Sequence, residues 1–432
     1  MRKYNKVNSF IIFLIAPLLL IVTGIIACKS VSITPTGEEN GIPKTGRWRL
    51  ARVSNQTEED ESTFYKLLTL GYMQGYNPAP KLKNVTVYNK DLAYNGFNFY
   101  TSGHAPEAFL VNMKGEILHT WHYHIAADIW PSAPKHPTGS YWRRAHLYRN
   151  GDLLAIYEGI GLIKINKDSN LLWSYNANKK PHHDIEVTED GKIYILTRER
   201  KTVRKIHKKP ILYDFITILN QDGKVIKHIS LFKLIKKSPY AKLMRNYNRK
   251  RRDELNDLFH TNTIEVFDGK LVHKSHIFKK GNVMVSVLTL DTIFIVNMRS
   301  EKIIWALGSG MWEKQHQPTL LENGNILIFD NHYKKNSSRV IEFDPLSREI
   351  VWEYKGNDKD RFFSKFCGSN QRLPNGNTLI TETDYGRVFE VTKDGKIVWE
   401  FLNPFRAGEE NEWIATIPEM IRISQKYCLF RR

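Results

Sequence analysis

Gln315-His316-Gln317-Pro318-Thr319-Leu320-Leu321-Glu322-Asn323-Gly324-Asn325-Ile326-Leu327-Ile328-Phe329-Asp330-Asn331 sets an Asn-Gly pair between two apolar runs. Both residues tolerate the positive φ of a tight turn, so the stretch reads as a hairpin. The run before the turn is one expected strand and Ile326 to Phe329 is the next. His316 stands eight residues before Gly324, at the far end of the first strand.

The same signal recurs along the chain, at Asn95-Gly96, Asn150-Gly151, Asp190-Gly191, Asp268-Gly269, Asn323-Gly324 and Asn375-Gly376. Between successive members lies a second polar turn: Lys114-Gly115, Asp168-Ser169, Asp222-Gly223, Ser300-Glu301, Ser347-Arg348 and Asp394-Gly395. Four residues beyond these turns stand Trp173, Trp305, Trp352 and Trp399, with His119 and Lys227 in the other two units. Each unit reads as four antiparallel strands, and six such units of 40 to 55 residues predict an all-β, six-bladed β-propeller over 85–425. A two-sheet sandwich needs no such period. Leu231 to Leu258, rich in Lys and Arg with helical stretches, is expected as a surface insertion between the third and fourth blades.

In a propeller the first strand of each blade lines the channel. Equal distances back from the hairpin glycines then fall at equal heights. Eight residues back stand Tyr88, Arg143, His183, Thr261, His316 and Gly368, with His260 one further back than Thr261. A lone strand histidine is usually a satisfied core or surface residue. Three histidines and an arginine at one channel mouth are a candidate site.

The 432 residues carry 64 basic against 45 acidic side chains, a formal charge of +19, which favours anionic partners. No compact nucleic-acid motif is present, so nucleic acid is not an expected partner. Met1-Arg2-Lys3-Tyr4-Asn5-Lys6 followed by the apolar run Phe10 to Ala27 is an export segment. Ile25-Ile26-Ala27-Cys28 resembles a lipobox, so residues 1–28 are either a signal peptide ending at a lipidated Cys28 or an uncleaved signal anchor. Either tether predicts an exported, membrane-attached protein. Residues 29–84 read as a polar linker with one short helical segment from Thr57 to Tyr76. Cys367 and Cys428 could pair in an exported compartment, or remain two buried thiols.

The ordered motifs His182-His183-Asp184, Phe259-His260-Thr261-Asn262, Gln315-His316, Phe329-Asp330-Asn331 and Gly368-Ser369-Asn370-Gln371-Arg372-Leu373-Pro374-Asn375-Gly376-Asn377 resemble the bacterial arylsulfotransferases. The resemblance runs from about Tyr94 to Pro404. It implies a six-bladed propeller that moves a sulfuryl group from a small aryl sulfate to a phenolic acceptor through a sulfated histidine, without a cofactor and independently of PAPS. It makes His316 the nucleophile, gives sulfate oxygens to His260 and Asn262, and sets His183 or its neighbour His182 beside them.

The chemistry fits these residue types. A neutral imidazole is a competent nucleophile, and sulfuryl transfer asks mainly for positioning and charge stabilisation on equatorial oxygens. No zinc spacing such as His-Glu-x-x-His occurs. One position departs from the family pattern: Leu288 stands where the resemblance implies an arginine. Arg198 occupies the equivalent offset one blade away and Arg143 lies on the channel ring, so these two are the expected substitute clamps. Two other classes remain open. A noncatalytic exported propeller would bind ligands or act as a scaffold. A quinone-dependent propeller enzyme would be expected to carry an adjacent Cys-Cys pair, which the sequence lacks.

Overall fold

The computed structural model describes residues 77–124, 141–204, 206, 210–244, 257–308, 310–332, 335–357 and 360–425. Within them the chain is all-β. The Asn323-Gly324 hairpin forms as read. Strand His316–Leu320 pairs antiparallel with Ile326–Asp330, His316 opposite Phe329, and Gly324 takes φ 86° at the turn. Arg339–Phe343 and Ile350–Tyr354 complete a four-stranded sheet.

Ile326-Leu327-Ile328-Phe329 is apolar at every position because both faces of its sheet are covered. Ile326 and Ile328 pack with Ile293 and Ile295 of the preceding sheet, while Leu327 and Phe329 pack with Ile380 and Phe389 of the following one. All four side chains are fully buried, each worth roughly 1.5–3 kcal/mol of hydrophobic stabilisation.

Three more four-stranded sheets repeat this order. They begin with Trp142–Leu147, Lys180–Val187 and Thr261–Val266. A further sheet begins with Ser369–Arg372 and carries Asn84–Tyr88 as a fifth strand on its outer edge, against Ile397–Leu402. In the last, Gly96–Thr101 is second in order, and its innermost strand is the C-terminal Met420–Ser424. This corrects the position expected for Tyr88, which lies on an outer edge and does not line the cavity. A small sheet of Asn77–Pro78, Trp413–Ile414 and Arg406–Ala407 stands apart from these.

The innermost strands pack side by side in succession, from Trp142–Leu147 round to Met420–Ser424, whose partner Gly96–Thr101 packs against Trp142–Leu147. They enclose a cavity of about 900 Å³ to which Arg144, Glu186, Glu265, Thr319, Gln371 and Ile421 each contribute from a different sheet.

The recurring outer-strand position joins neighbouring sheets. Trp173 Nε1 donates to Gln221 O at 3.1 Å, Trp352 Nε1 to Lys393 O at 2.8 Å and Trp399 Nε1 to Met113 O at 3.0 Å. His119 Nε2 lies 2.7 Å from Lys167 O, and Lys227 Nζ pairs with Glu301 at 2.7 Å. Each partner belongs to the second polar turn of the next sheet. At Gly223 the packing is so close that a Cβ would sit 2.6 Å from the Trp173 ring, and φ there is 76°.

Within the expected insertion, Leu231–Lys236 forms a helix capped by Ser230, whose side chain accepts from Lys233 N–H, and Leu231, Leu234 and Ile235 are buried. Residues 245–256 lie outside the described residues. The export segment with Cys28 and the helix expected at Thr57 to Tyr76 also lie outside them. No helix among the described residues is long and apolar enough to cross a membrane. Cys367 is a buried free thiol, and Cys428 is outside the described residues.

Candidate active site

Four innermost strands carry a β-bulge near their first residues, and the bulges build the site. The register shifts between Trp142 and Arg144, His182 and Ile185, Thr261 and Thr263, and His316 and Thr319. Arg143, His183 and Asn262 fall inside these irregularities, where an extra residue re-aims its side chain. His183, His260 and Gln317 take φ of 58°, 46° and 45°. Non-glycine residues in this region store backbone strain of the kind that clusters at functional sites.

His316 is 3% exposed. Its Nδ1 lies 3.0 Å from Lys314 O and 2.8 Å from Asn331 Oδ1. Both partners are acceptors, so Nδ1 carries the proton and Nε2 holds the lone pair. Asn331 is fixed in turn by donating to Ser364 O at 2.6 Å and Cys367 O at 3.0 Å. Burial, with the charges of Arg143 and His260, holds the His316 imidazole down to about 3, against its hydrogen bond to Asn331. The ring is therefore neutral at neutral pH.

Asn262 reaches towards this histidine, donating from its amide to Gln315 O at 2.8 Å. Gln315 is itself held by donation to Ser286 Oγ at 3.0 Å. Arg143, 5% exposed, donates from Nη2 to Cys367 Sγ at 3.2 Å.

The other three histidines of the cluster meet edge to face. Ring centroids of His182 and His183 are 5.1 Å apart, and those of His183 and His260 4.8 Å. His182 Nδ1 lies 2.9 Å from His183 Nδ1. Burial holds His182 and His183 well below the usual imidazole range, helped by the charges of Arg143, Arg198 and His260. The His183 backbone N–H donates to Glu158 at 3.0 Å. His260 Nδ1 lies 2.8 Å from Asp257 Oδ2, and its backbone N–H donates to Asp257 Oδ1 at 3.0 Å. Arg198, 2% exposed, is held between Glu158 Oε1 at 2.8 Å and Asp257 Oδ2 at 3.7 Å.

Glu158, His182 and His183 each offer a ligand atom within 4.8 Å of one another. Arg198 already sets a guanidinium against that carboxylate, so a dication there would meet a fixed positive charge at 2.8 Å from its ligand. Neutral imidazoles backed by Arg143 and Arg198 suit a tetrahedral oxyanion better.

Beneath the histidines, Arg144 spans the cavity. It pairs with Asp184 at 2.8 Å, with Glu419, and with the Gln317 side chain. Four innermost strands or their flanks are thus tied below the site.

Every site residue expected from sequence within the described residues lies in this cluster, although Arg198 faces carboxylates and Arg143 a thiol. Leu288 opens a short 3-10 turn, with its N–H donating to His260 O at 3.4 Å and its carbonyl accepting from Lys314 Nζ at 3.3 Å. The partners missed by sequence are Asp257 and Asp214, which no spacing marks. The offset from a hairpin glycine that reaches Arg198 reaches Glu158 and Asn331 as well.

A family model described as arylsulfotransferase (ASST) matches residues 145–404. Comparison with curated proteins finds no match. Among solved structures, a protein of unknown function from Bacteroides caccae is similar at TM-score 0.50, with 15% identity, over 76% of this chain and 98% of its own. The β-propeller domain of Cps50 (Swd1) from Myceliophteria thermophila reaches 0.45 at 10% identity, over 78% and 100%. A streptogramin B lyase reaches 0.42 at 12% identity, over 80% and 94%. The first of these likenesses bears on the fold alone.

Proposed function

Because the chain belongs to the arylsulfotransferase (ASST) family, we propose that it moves a sulfuryl group from a small aryl sulfate to a phenol by a two-step exchange through His316. In this reading the six sheets are six propeller blades around one channel, and the histidine cluster is its reactive mouth. The observation that carries the proposal is the commitment of His316 Nδ1 to Lys314 O and Asn331 Oδ1, at 3.0 and 2.8 Å. It leaves Nε2 as a neutral, oriented nucleophile.

In the first half, His316 Nε2 attacks sulfur, the N–S bond forms, and the S–O bond to the aryl oxygen breaks. In the second half, the phenol oxygen attacks the same sulfur and the N–S bond breaks. Arg143 and the Asn262 and His183 side chains hold the equatorial oxygens, with Arg198 and His182 behind them. Charge on those oxygens is matched by groups already in place, so little reorganisation is needed.

The test is purified protein with 4-nitrophenyl sulfate and phenol. Acceptor-dependent nitrophenol release is expected, with one added sulfuryl group by intact mass in the donor-only reaction, and neither is expected in His316→Ala. Release that persists in His316→Ala defeats the assignment.

Leu288 favours a second reading, a noncatalytic ligand-binding or scaffold propeller, since an aliphatic side chain stands where a clamp is expected. Binding of aryl sulfate without turnover would select it. The export segment supports a membrane-tethered location outside the cytoplasm. Membrane fractionation tests this, and loss of lipid labelling in Cys28→Ser separates a lipid anchor from a signal anchor.

A further inference from the structure

His260 stands immediately before strand Thr261–Val266, at φ 46°. Two bonds from one carboxylate fix it there. Asp257 Oδ1 accepts from its backbone N–H at 3.0 Å, and Asp257 Oδ2 faces its Nδ1 at 2.8 Å. The carboxylate thus sets ring position and tautomer together. Arg198 Nη1 lies 3.7 Å behind Asp257.

A second buried acid shares this wall. Asp214 accepts from Thr261 N–H at 3.1 Å and from the Thr261 hydroxyl. Burial, with the charge of Asp257, pushes Asp214 up to about 7. Burial alone would raise Asp257 too, but the charge and hydrogen bond of His260, with Arg198, hold it below the usual carboxylate range. Of the two acids, Asp257 is the ionised one. The His260 ring meets His183 edge to face, with centroids 4.8 Å apart, and its charge reaches His316.

We infer that Asp257 is a positioning residue that makes His260 the proton donor and acceptor of the transfer. This rests on the proposed sulfuryl exchange. In the first half, His260 Nε2–H gives its proton to the aryl oxygen as the S–O bond breaks and His316 Nε2 bonds to sulfur. In the second half, the acceptor phenol returns a proton to His260 Nε2 as its oxygen bonds to sulfur and the N–S bond breaks. One proton leaves with the first phenol and one arrives with the second, so the pair ends as it began. Asp257 touches neither substrate. It fixes Nδ1–H and stabilises the imidazolium that carries the second proton.

The experiment compares Asp257→Asn with the wild type on phenyl sulfate, whose leaving group needs a proton, and on 2,4-dinitrophenyl sulfate, whose leaving group does not. At least a tenfold greater loss of kcat/KM on phenyl sulfate is expected. His316 should still take up a sulfuryl group from the activated donor. Asp257→Glu, which keeps the charge, should recover part of the phenyl sulfate rate and serves if Asp257→Asn fails to fold. Equal losses on both donors, or none, overturn the relay while leaving His316 as the nucleophile. A wild type inert to both donors removes the sulfuryl exchange itself, and the relay with it.

Discussion

His316 Nδ1 and Asn331 Oδ1 lie 2.8 Å apart, joining the start of one strand to the residue just beyond its hairpin partner. This bond chooses which nitrogen is left to react. Asn331→Ala should lower kcat/KM at least about tenfold, near 1.4 kcal/mol, by releasing the ring. Part of the loss should appear in kcat, because the imidazolium that forms on sulfation is what the amide oxygen stabilises. Steady-state kinetics on 4-nitrophenyl sulfate, beside a melting curve, checks this. An unchanged kcat would remove the amide from catalysis.

The low position of His316, about 3, has a sign that can be measured. A free imidazole loses its lone pair as pH falls through its usual value near 6.5. Here burial and the Arg143 charge favour the neutral form, so sulfuryl uptake should persist at pH 5. Donor-only incubation at pH 5 and pH 7.5, read by intact mass, should give comparable labelling. Loss of label at pH 5 would place His316 in a far wetter setting.

Arg143 and Arg198 should fail differently when changed to lysine. Arg143→Lys should raise donor KM at least about tenfold, since a compact ammonium cannot match a planar guanidinium on a tetrahedral oxyanion. Arg198→Lys loosens Glu158 and Asp257 together, so it should lower kcat and melting temperature. Leu288→Arg should restore part of the donor affinity lost in Arg143→Lys. If neither lysine variant departs from wild type, the clamp lies elsewhere.

Asp384 offers a stability test, since it holds the segment to which Asn331 and Arg143 bond. It is 4% exposed and accepts from Lys365 N–H at 2.6 Å and Phe366 N–H at 3.1 Å. Burial, despite these donors, raises it from 3.8 to about 7. A raised carboxyl contributes stability that is full below pH 3.8 and is lost as pH climbs through 7. Asp384→Asn keeps an acceptor without the charge. It should melt a few degrees above wild type at pH 8 and near it at pH 5. A lower melting temperature at pH 8 would mean that the ionised form is the one the fold favours.

The strands of the repeat were legible where turn chemistry and apolar patterning agree, at Asn150-Gly151, Asp190-Gly191, Asn323-Gly324 and Asn375-Gly376. Asn95-Gly96 joins no paired strands, and Asp268-Gly269 opens a long connection between Val266 and Asn282. Gly324 and Gly376 take φ of 86° and 89°, as Asn-Gly turns require. Counting back from Gly151, Gly191 and Gly324 reached Arg143, His183 and His316, since those distances run along single strands. The count could not show the bulges, because His183, His260 and Gln317 carry no marker for positive φ. It placed Tyr88 on the ring because no turn signal announces Met420–Ser424, which pairs with Gly96–Thr101 more than 300 residues away. Asp257 was hidden for the same reason: its role depends on where Arg198 and His260 meet.

That C-terminal strand sets an order of events during synthesis. A chain made from its N-terminus carries Gly96–Thr101 early, with one edge open and every backbone donor on it exposed. The edge is filled only when Met420–Ser424 leaves the ribosome. Glu419 arrives in the same moment and adds a second carboxylate to Arg144, beside Asp184. A nascent chain therefore carries all of its reactive side chains before this edge and the Arg144–Glu419 pair can close.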